Sequence, residues 1–578
     1  MTTFTGAISL QPNVALPEDL LLALREHVTR SPLDRPEEFT GPGFYLANVD
    51  IGAFGARGTL IEDDGSLTVV AGEPLVAEGE GITTWNRAMD LAVMHPLLKK
   101  GDWNALRGTR GTFCGVHFNA VTGTASVFVD KTGVRPLYLW VGPHFAVFST
   151  ALRVLEALRQ VPKEFDVRGV AEISTFTFPL SDRTAYAGIK TLKAGQVVAI
   201  GAGQARRELY WRWDGALARD AVDAAAIEHC YGQFIGAIRR RHRNNKVAAA
   251  FLSGGLDSRV IVGGLHAAGS DVYTVNYAPD GSQDQVFAEL VAKKLGISYT
   301  QIQTNADNVA QGYRKSAVAE WLKTTFARSG TRSPLVWSGD GGSVGLGHVY
   351  MTRPIVAALQ KGDEQTAITL FNDGVAVRII NPARRREIGN LPQQGIREEL
   401  DELNSPDALR RFHLFLMLND QRRHLSKHFE DIDVERIEFQ LPFFDADFLE
   451  TILRLPAEPF LYHQFYIDWL ARFPNGMNTI AWQAYPGHVP CPVPAPAGLK
   501  YQWAEDEYYD KKMYKQIRQA TAKMGVNMLT DRAFPAHLLS KPMLMGAIVL
   551  THFGIGNYGY LIKTAATFHQ YWKKSQAA

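Results

Sequence analysis

Three cysteines in 578 residues, Cys114, Cys230 and Cys491, are too few and too far apart for a disulfide framework. With no CxxC pair they make no zinc site either, and such usage fits a reducing cytoplasm. The N-terminus, "MTTFTGAISLQPNVALPEDL", lacks a basic start, an apolar core and a small-residue cleavage site, so no secretion signal is expected. An unbroken apolar run is missing too. The most apolar late stretch, "MLMGAIVLTHFGIGNYGYLI", is interrupted by His, Asn and several Gly, and reads as buried core rather than as a membrane span. Neither sign of charge dominates, with 61 basic against 59 acidic side chains, so charge points to no partner. The run "RRRHRNN" at 239–245 ends a helical pattern, where cations are favoured, and reads as a solvated helix end rather than a nucleic-acid surface. No repeat, no low-complexity tract and no GxxxxGK[ST] motif occur.

What is there is an ordinary globular composition, 46% hydrophobic, in a chain too long for one core. From about 40 to 205, short β-rich runs alternate with turns: "TLIEDDGSLTVVAG" and "GVHFNAVTGTASVFVD" read as hairpins of a mainly antiparallel domain. The β character fades over 202–221, which places a domain boundary there. A helix follows in "VDAAAIEHCYGQFIGAIRRRHR". Beyond it "VAAAFL", "DVYTVNY" and "SYTQIQ" read as strands separated by helices, the second of these ending at Gly296, the rhythm of a parallel α/β sheet. From 354 onward helical segments dominate, and the Pro-rich "GHVPCPVPAPAGLK" reads as an extended loop.

The strand "VAAAFL" breaks into Ser253-Gly254-Gly255-Leu256-Asp257-Ser258 before a helix. Glycine backbone and hydroxyls at a helix N-terminus suit phosphate, and a carboxylate beside bound phosphates suits Mg²⁺. Alone, such a junction is equally a tight turn. "SGGLDS" after an apolar strand resembles the PP-loop of ATP pyrophosphatases, and its surroundings resemble the synthetase domain of asparagine synthetase B and its relatives. "MTTFTGAISL", "VFVDKTGVRPLYLW", "FAVFSTALRVLEAL" and "IEFQLPFFDADFLETILRLP" are similar to further family stretches, so the resemblance covers most of the chain.

The resemblance implies an α+β architecture. An Ntn-type antiparallel β-sandwich over 1–205, glutaminase-like and inactive, would precede an α/β parallel-sheet PP-loop domain (adenine nucleotide α-hydrolase-like) over 206–578 with a helical C-terminal region. It implies ATP and pyrophosphate binding by Ser253, Gly254, Gly255, Leu256, Asp257, Ser258, Ser338 and Gly339, and metal binding by Asp257 and Asp284. The last of these carboxylates also reads as a helix-starting residue favoured by the dipole. Asp340, in "SGDGGS", falls near the acceptor amine. Glu438 matches a residue that orients a general base in β-lactam-type relatives, and reads equally as a buried structural carboxylate. Lys500 is the candidate cation for the developing charge, or else a surface lysine.

The departures matter as much. The family's nucleophilic cysteine is Thr2 here, and its Asn-Gly-Glu stretch is Ala71-Gly72-Glu73, which favours a scaffold that makes no ammonia, although an N-terminal Thr is itself a nucleophile in other enzymes. Ser343 stands where an Asp usually helps to bind Mg²⁺, so metal is held by Asp257, phosphates and water, or Asp340 takes part. Gln440 replaces a familiar Arg. The expectation is an AMP-forming, ATP- and Mg²⁺-dependent ligase that joins a carboxylate to an amine without glutamine. It would act in the cytoplasm on a small molecule or peptide bearing both groups, as β-lactam synthetases and lasso-peptide cyclases do. A homodimer or a protease from a biosynthetic cluster are the protein partners such relatives suggest, with neither nucleic acid nor membrane involved. Ammonia-dependent asparagine synthesis and a non-catalytic nucleotide-binding scaffold are the competing readings.

Overall fold

The computed structural model of the chain describes residues 2–11, 14–79, 81–82, 84–215, 221–243, 246–303, 314–326, 335–372, 375–504, 511–556 and 558–576. Both hairpins form: Thr59–Ile61 pairs with Leu67–Gly72 across Asp-Asp-Gly, and Phe113–Asn119 pairs with Thr124–Val129 across the Thr-Gly turn. They belong to a six-stranded antiparallel sheet. A second six-stranded antiparallel sheet is built around Thr2–Ser9, which lies between Phe44–Asp50 and Phe145–Ser149. Alternate residues of the two sheets, among them Phe4, Leu46, Val69, Val116 and Phe148, meet in one core. The β pattern does not stop at 205. Gln204–Leu209 is the outermost strand of its sheet, paired with Gln196–Gly201; its mostly exposed, charged side chains hide the signal that a half-buried strand would show.

The second half carries five parallel strands in the order Ser298–Gln301, Asp271–Asn276, Val247–Phe251, Leu335–Trp337, Glu438–Gln440. Ala248, Ala249 and Ala250 on the middle strand are buried, as a strand covered on both faces requires. Strands adjacent in sequence lie to one side of it and later strands to the other. A crevice therefore opens at its carboxyl end. The helix Gln283–Leu295 is capped as its sequence asks: Ser282 accepts from the Gln285 amide, and Gly296 ends it in the left-handed region.

The helical C-terminal region divides. Ala446–Leu453 and its neighbours pack on the parallel-sheet half, but Lys511–Thr530, Lys541–Phe553 and Gly559–Gln576 return to the sandwich, where Leu544, Ile548, Ile562 and Phe568 share a core with Leu20, Val147 and Tyr186. The late apolar stretch is only half core, because Met545, Val549, Phe553 and Ile555 face solvent. Nor is the arginine run a solvated end. Arg240 and Arg241 both donate to the buried Asp445 carboxylate, at 2.7 and 2.6 Å, and Arg243 lies 3.5 Å from both Glu73 and Asp90 in the sandwich half. Burial opposes the charge on Asp445, yet these guanidinium groups hold it below the usual carboxylate range.

Candidate active site

The loop 252–256 joins the central strand to the helix Asp257–Ala267. Ser258 Oγ accepts from the Ser253 amide at 2.9 Å and lies 2.8 Å from Ser253 Oγ, which in turn accepts from the Gly255 amide at 3.3 Å. The Gly254 amide donates to Asp284 at 2.5 Å. A Cβ on Gly254 would stand 2.7 Å from both the Asp284 Cα and the Gln283 carbonyl oxygen, so the loop closes on the neighbouring helix only because glycine is there. Leu256, buried, anchors the loop from below.

A second loop faces the first. Following Leu335–Trp337, Ser338 donates to the Asp340 carboxylate, and Gly339 approaches so closely that a Cβ would meet the Ser258 amide nitrogen at 2.7 Å. Ser343 gives Asp257 Oδ2 two hydrogen bonds, from its amide at 3.0 Å and its hydroxyl at 2.7 Å. The residue read as a missing metal ligand thus holds the carboxylate beside it. Asp257 Oδ1 is buried and takes no well-formed hydrogen bond among the described residues, although the Tyr466 hydroxyl stands close enough to favour its charge. Burial pushes the Asp257 carboxyl up to about 6, against the Ser343 bonds and the Tyr466 hydroxyl and with the Asp340 charge adding to the rise. A buried carboxylate oxygen so weakly engaged, in the same pocket as Asp284, is the donor chemistry that Mg²⁺ takes when phosphates complete its shell, so the residues present fit the metal. Asp284 itself is engaged with the loop amide.

Trp482, Gln483, Tyr485 and Trp503 line the far side of the pocket over these loops, a cavity of about 160 Å³. Lys500 is tied to its edge through the backbone: its N–H donates to the Gly281 carbonyl at 3.0 Å and its carbonyl accepts from Gln283 at 2.9 Å. That pairs it with Ser282, two residues before Asp284, with its side chain partly exposed.

Glu438 lies elsewhere. It is fully buried and takes a 2.5 Å hydrogen bond from Arg135 of the sandwich, whose guanidinium also stacks on Phe429 at 4.3 Å. Two residues on, Gln440 donates to Glu73 at 2.8 Å. Both positions, and the Ala71-Gly72-Glu73 stretch with them, form the seam between the halves; a Cβ on Gly72 would sit 2.4 Å from Arg135 Nε. The buried-carboxylate reading of Glu438 is the one this geometry supports. Thr2 begins its strand opposite Asp50, which is paired with Arg87 at 2.6 Å.

Further groups escaped the sequence reading. Asp420 sits in a π-helical turn, Leu416–Gln421, inside what reads as one long helix; such turns interrupt helices at functional sites, but periodicity does not reveal them. Its carboxyl is raised by burial, with His424 acting against the rise. Tyr350 and Tyr485 are raised by burial and then by the Asp420 charge, which puts both phenols close to that carboxylate. His424 Nε2 stands 3.7 Å from Asp340. Tyr350, Asp420 and His424 line a cleft of about 850 Å³ between the halves, together with Glu430, whose carboxyl is pushed up to about 7 by burial. Tyr485 belongs to the smaller pocket, so the two spaces approach each other at this cluster.

The asparagine synthase family matches residues 231–336, and the glutamine amidotransferase domain family matches residues 79–211. The carboxyethyl-arginine beta-lactam-synthase of Streptomyces clavuligerus is 26% identical over 215 residues, 37% of this chain and 39% of that protein. A putative glutamine-hydrolyzing asparagine synthetase of Methanocaldococcus jannaschii is 26% identical over 178 residues, 30% of this chain and 34% of that one. The matched segments thus span between a third and two fifths of these relatives' lengths. The antiparallel sandwich is thus similar to the glutamine amidotransferase domain family over 79–211, and the parallel-sheet half to the asparagine synthase family over 231–336.

Proposed function

We propose that this protein is an AMP-forming C–N ligase: it adenylates a substrate carboxylate with ATP, releases pyrophosphate, and joins the activated acyl group to an amine without hydrolysing glutamine. The paired loops with the buried Asp257 oxygen carry the reading. Amides and hydroxyls of Ser253, Gly254, Gly255 and Ser258 would hold the pyrophosphate portion, with Ser338 and Gly339 closing over it. Asp257 and Asp284 would hold Mg²⁺ together with phosphate oxygens, and the ion would supply charge neutralisation. Lys500 stabilises charge developing on the leaving phosphate and the tetrahedral centre. Asp340 with His424, and Asp420 with Tyr350, orient the incoming amine and take its proton. Glu438 acts at a distance, by positioning the strand that ends beside Ser338.

Two observations support independence from glutamine. Thr2 replaces the cysteine that glutaminase chemistry uses in the family this chain resembles, and Glu73, in the stretch that would grip glutamine, is committed to Gln440 and Arg243. The amine then arrives on the substrate. A cleft of about 850 Å³ falls in the size range of sites that take a whole small molecule, so it suits a substantial small molecule or a peptide segment rather than ammonia. Ring closure in specialised metabolism, of the β-lactam or lasso-peptide kind, is the reaction class that joins these features, in the cytoplasm, with a homodimer or a cluster-encoded protease as protein partner. The likeness to the Methanocaldococcus protein favours a second reading, asparagine formation from ammonia. A heavy-oxygen-labelled carboxylate panel, including aspartate, separates the outcomes. Adenylation moves one label into AMP. Label in AMP from aspartate with ammonium supports the second reading, and no label from any carboxylate or peptide supports a nucleotide-binding scaffold.

A further inference from the structure

The C-terminal helices carry a charge that the whole chain conceals. Residues 511–576 contain ten Lys or Arg and one acid, Asp531, whereas the chain as a whole is nearly balanced. Asp531 is itself paired, 2.9 Å from Lys573. Apolar side chains reach water in the same segment: of the twenty large exposed hydrophobic residues among those described, seven fall between Met524 and Ile555. On the helix Lys541–Phe553, Leu544, Ala547, Ile548 and Thr551 turn inward, while Met545, Val549 and Phe553, at i, i+4 and i+8, form an outward row 59, 53 and 71% exposed. Gly546, within that row, has open space where a Cβ would be. Lys523, Lys541 and Lys563 are exposed and have no carboxylate within ion-pair distance among the described residues.

We propose that this face docks on an anionic lipid surface, laying the row Met545, Val549 and Phe553 into the headgroup boundary with lysines around it. Three features select this occupant. The row is a convex ridge rather than the groove that receives a peptide strand or helix. A second copy of the same face would set two strongly cationic modules against each other. An apolar row on a lysine-rich, acid-poor module is the composition of helices that lie in a membrane interface, and among the described residues no helix is long and apolar enough to cross one. The sequence reading expected no membrane partner because it took this stretch as core; its exposed half is visible only once the helix is placed.

The full-length protein is floated with phosphatidylcholine vesicles, with and without about 30% phosphatidylglycerol, at ~0.05 and ~0.5 M salt. The expected result is partition onto the anionic vesicles only, about tenfold weaker at the higher salt. Met545→Asp/Val549→Asp/Phe553→Asp and, separately, Lys523→Glu/Lys541→Glu/Lys563→Glu each lower it by about tenfold or more, with unchanged melting. No partition, or equal partition onto neutral vesicles, overturns the proposal. So does a solution dimer that the triple Asp variant dissociates, because the ridge is then a self-interface, and so does binding that the triple Asp variant retains.

Discussion

Replacing Arg135 by Met strands the Glu438 carboxylate inside the seam. The two side chains are 1 and 0% exposed and meet at 2.5 Å, so the remaining charge loses the Arg135 guanidinium in a place that water does not reach. Breaking one side of a buried pair costs about 3–5 kcal/mol, whereas exchanging both partners for apolar groups is close to neutral. Taking ~2–4 °C per kcal/mol, Arg135→Met lowers the first melting transition by roughly 6–20 °C. Arg135→Met/Glu438→Leu recovers most of that loss, and the coupling between the two changes is at least ~2 kcal/mol. Glu438→Gln keeps a hydrogen-bond acceptor for Arg135 and leaves AMP formation within about threefold of the parent after correction for folded protein. Calorimetry of the parent, Arg135→Met, Glu438→Leu, the double variant and Glu438→Gln, paired with assays of AMP and of amide product, measures both. A Glu438→Gln protein that melts normally but has lost amide formation would refute the structural assignment and return Glu438 to the amine.

Other expectations follow from the loops. Asp257→Asn removes the carboxylate proposed for the metal and lowers the AMP-forming rate by ~10²-fold or more, with little change in melting. Because burial raises the Asp257 carboxyl to about 6, the ionised form that binds metal is lost below that value: apparent Mg²⁺ affinity, followed by titration calorimetry with nucleotide present, is flat above pH ~6.5 and falls by about tenfold per unit below ~5.5. The sign for the metal-free fold is opposite. A raised acid stabilises the fold below its unfolded value and that contribution fades as pH rises through about 6. Gly254→Ala forces a Cβ to 2.7 Å from Asp284 Cα, so ATP binds at least ~10-fold more weakly while the sandwich melts as before. Tyr350→Phe and Asp420→Asn preserve the carboxylate-dependent exchange of labelled pyrophosphate into ATP, which reads the first step alone, but lower amide formation by ~10²-fold, measured by mass spectrometry.

Legibility in the sequence varied with the locality of the signal. The hairpins were readable because Asp-Asp-Gly and Thr-Gly sit between alternating runs, and the parallel strands because their apolar runs alternate with capped helices. The strand–loop–helix junction at 247–267 was readable because apolar run, glycines, hydroxyls and carboxylate are contiguous. The seam was not, since Arg135 and Glu438 are far apart in the chain and a buried carboxylate reads alike whether it positions a strand or a substrate. Ser343 could be seen as a departure, but its two bonds to Asp257 depend on how the loops face each other. The cluster of Asp420, Tyr350 and His424 was missed because a π-helical turn leaves no trace in periodicity and these groups converge only in space. The return of the last three helices to the sandwich is likewise a matter of tertiary packing.

The central claim is that ATP is cleaved at its α-phosphorus and that the nitrogen does not come from glutamine. The identity of the products decides it most directly. Full-length protein with ATP, Mg²⁺ and a carboxylate- and amine-bearing substrate panel is resolved for AMP, ADP, pyrophosphate, phosphate and glutamate, with and without added glutamine. The account predicts AMP and pyrophosphate in equal amounts, unchanged by glutamine and without glutamate. ADP with phosphate, or glutamate released in step with product, would contradict it.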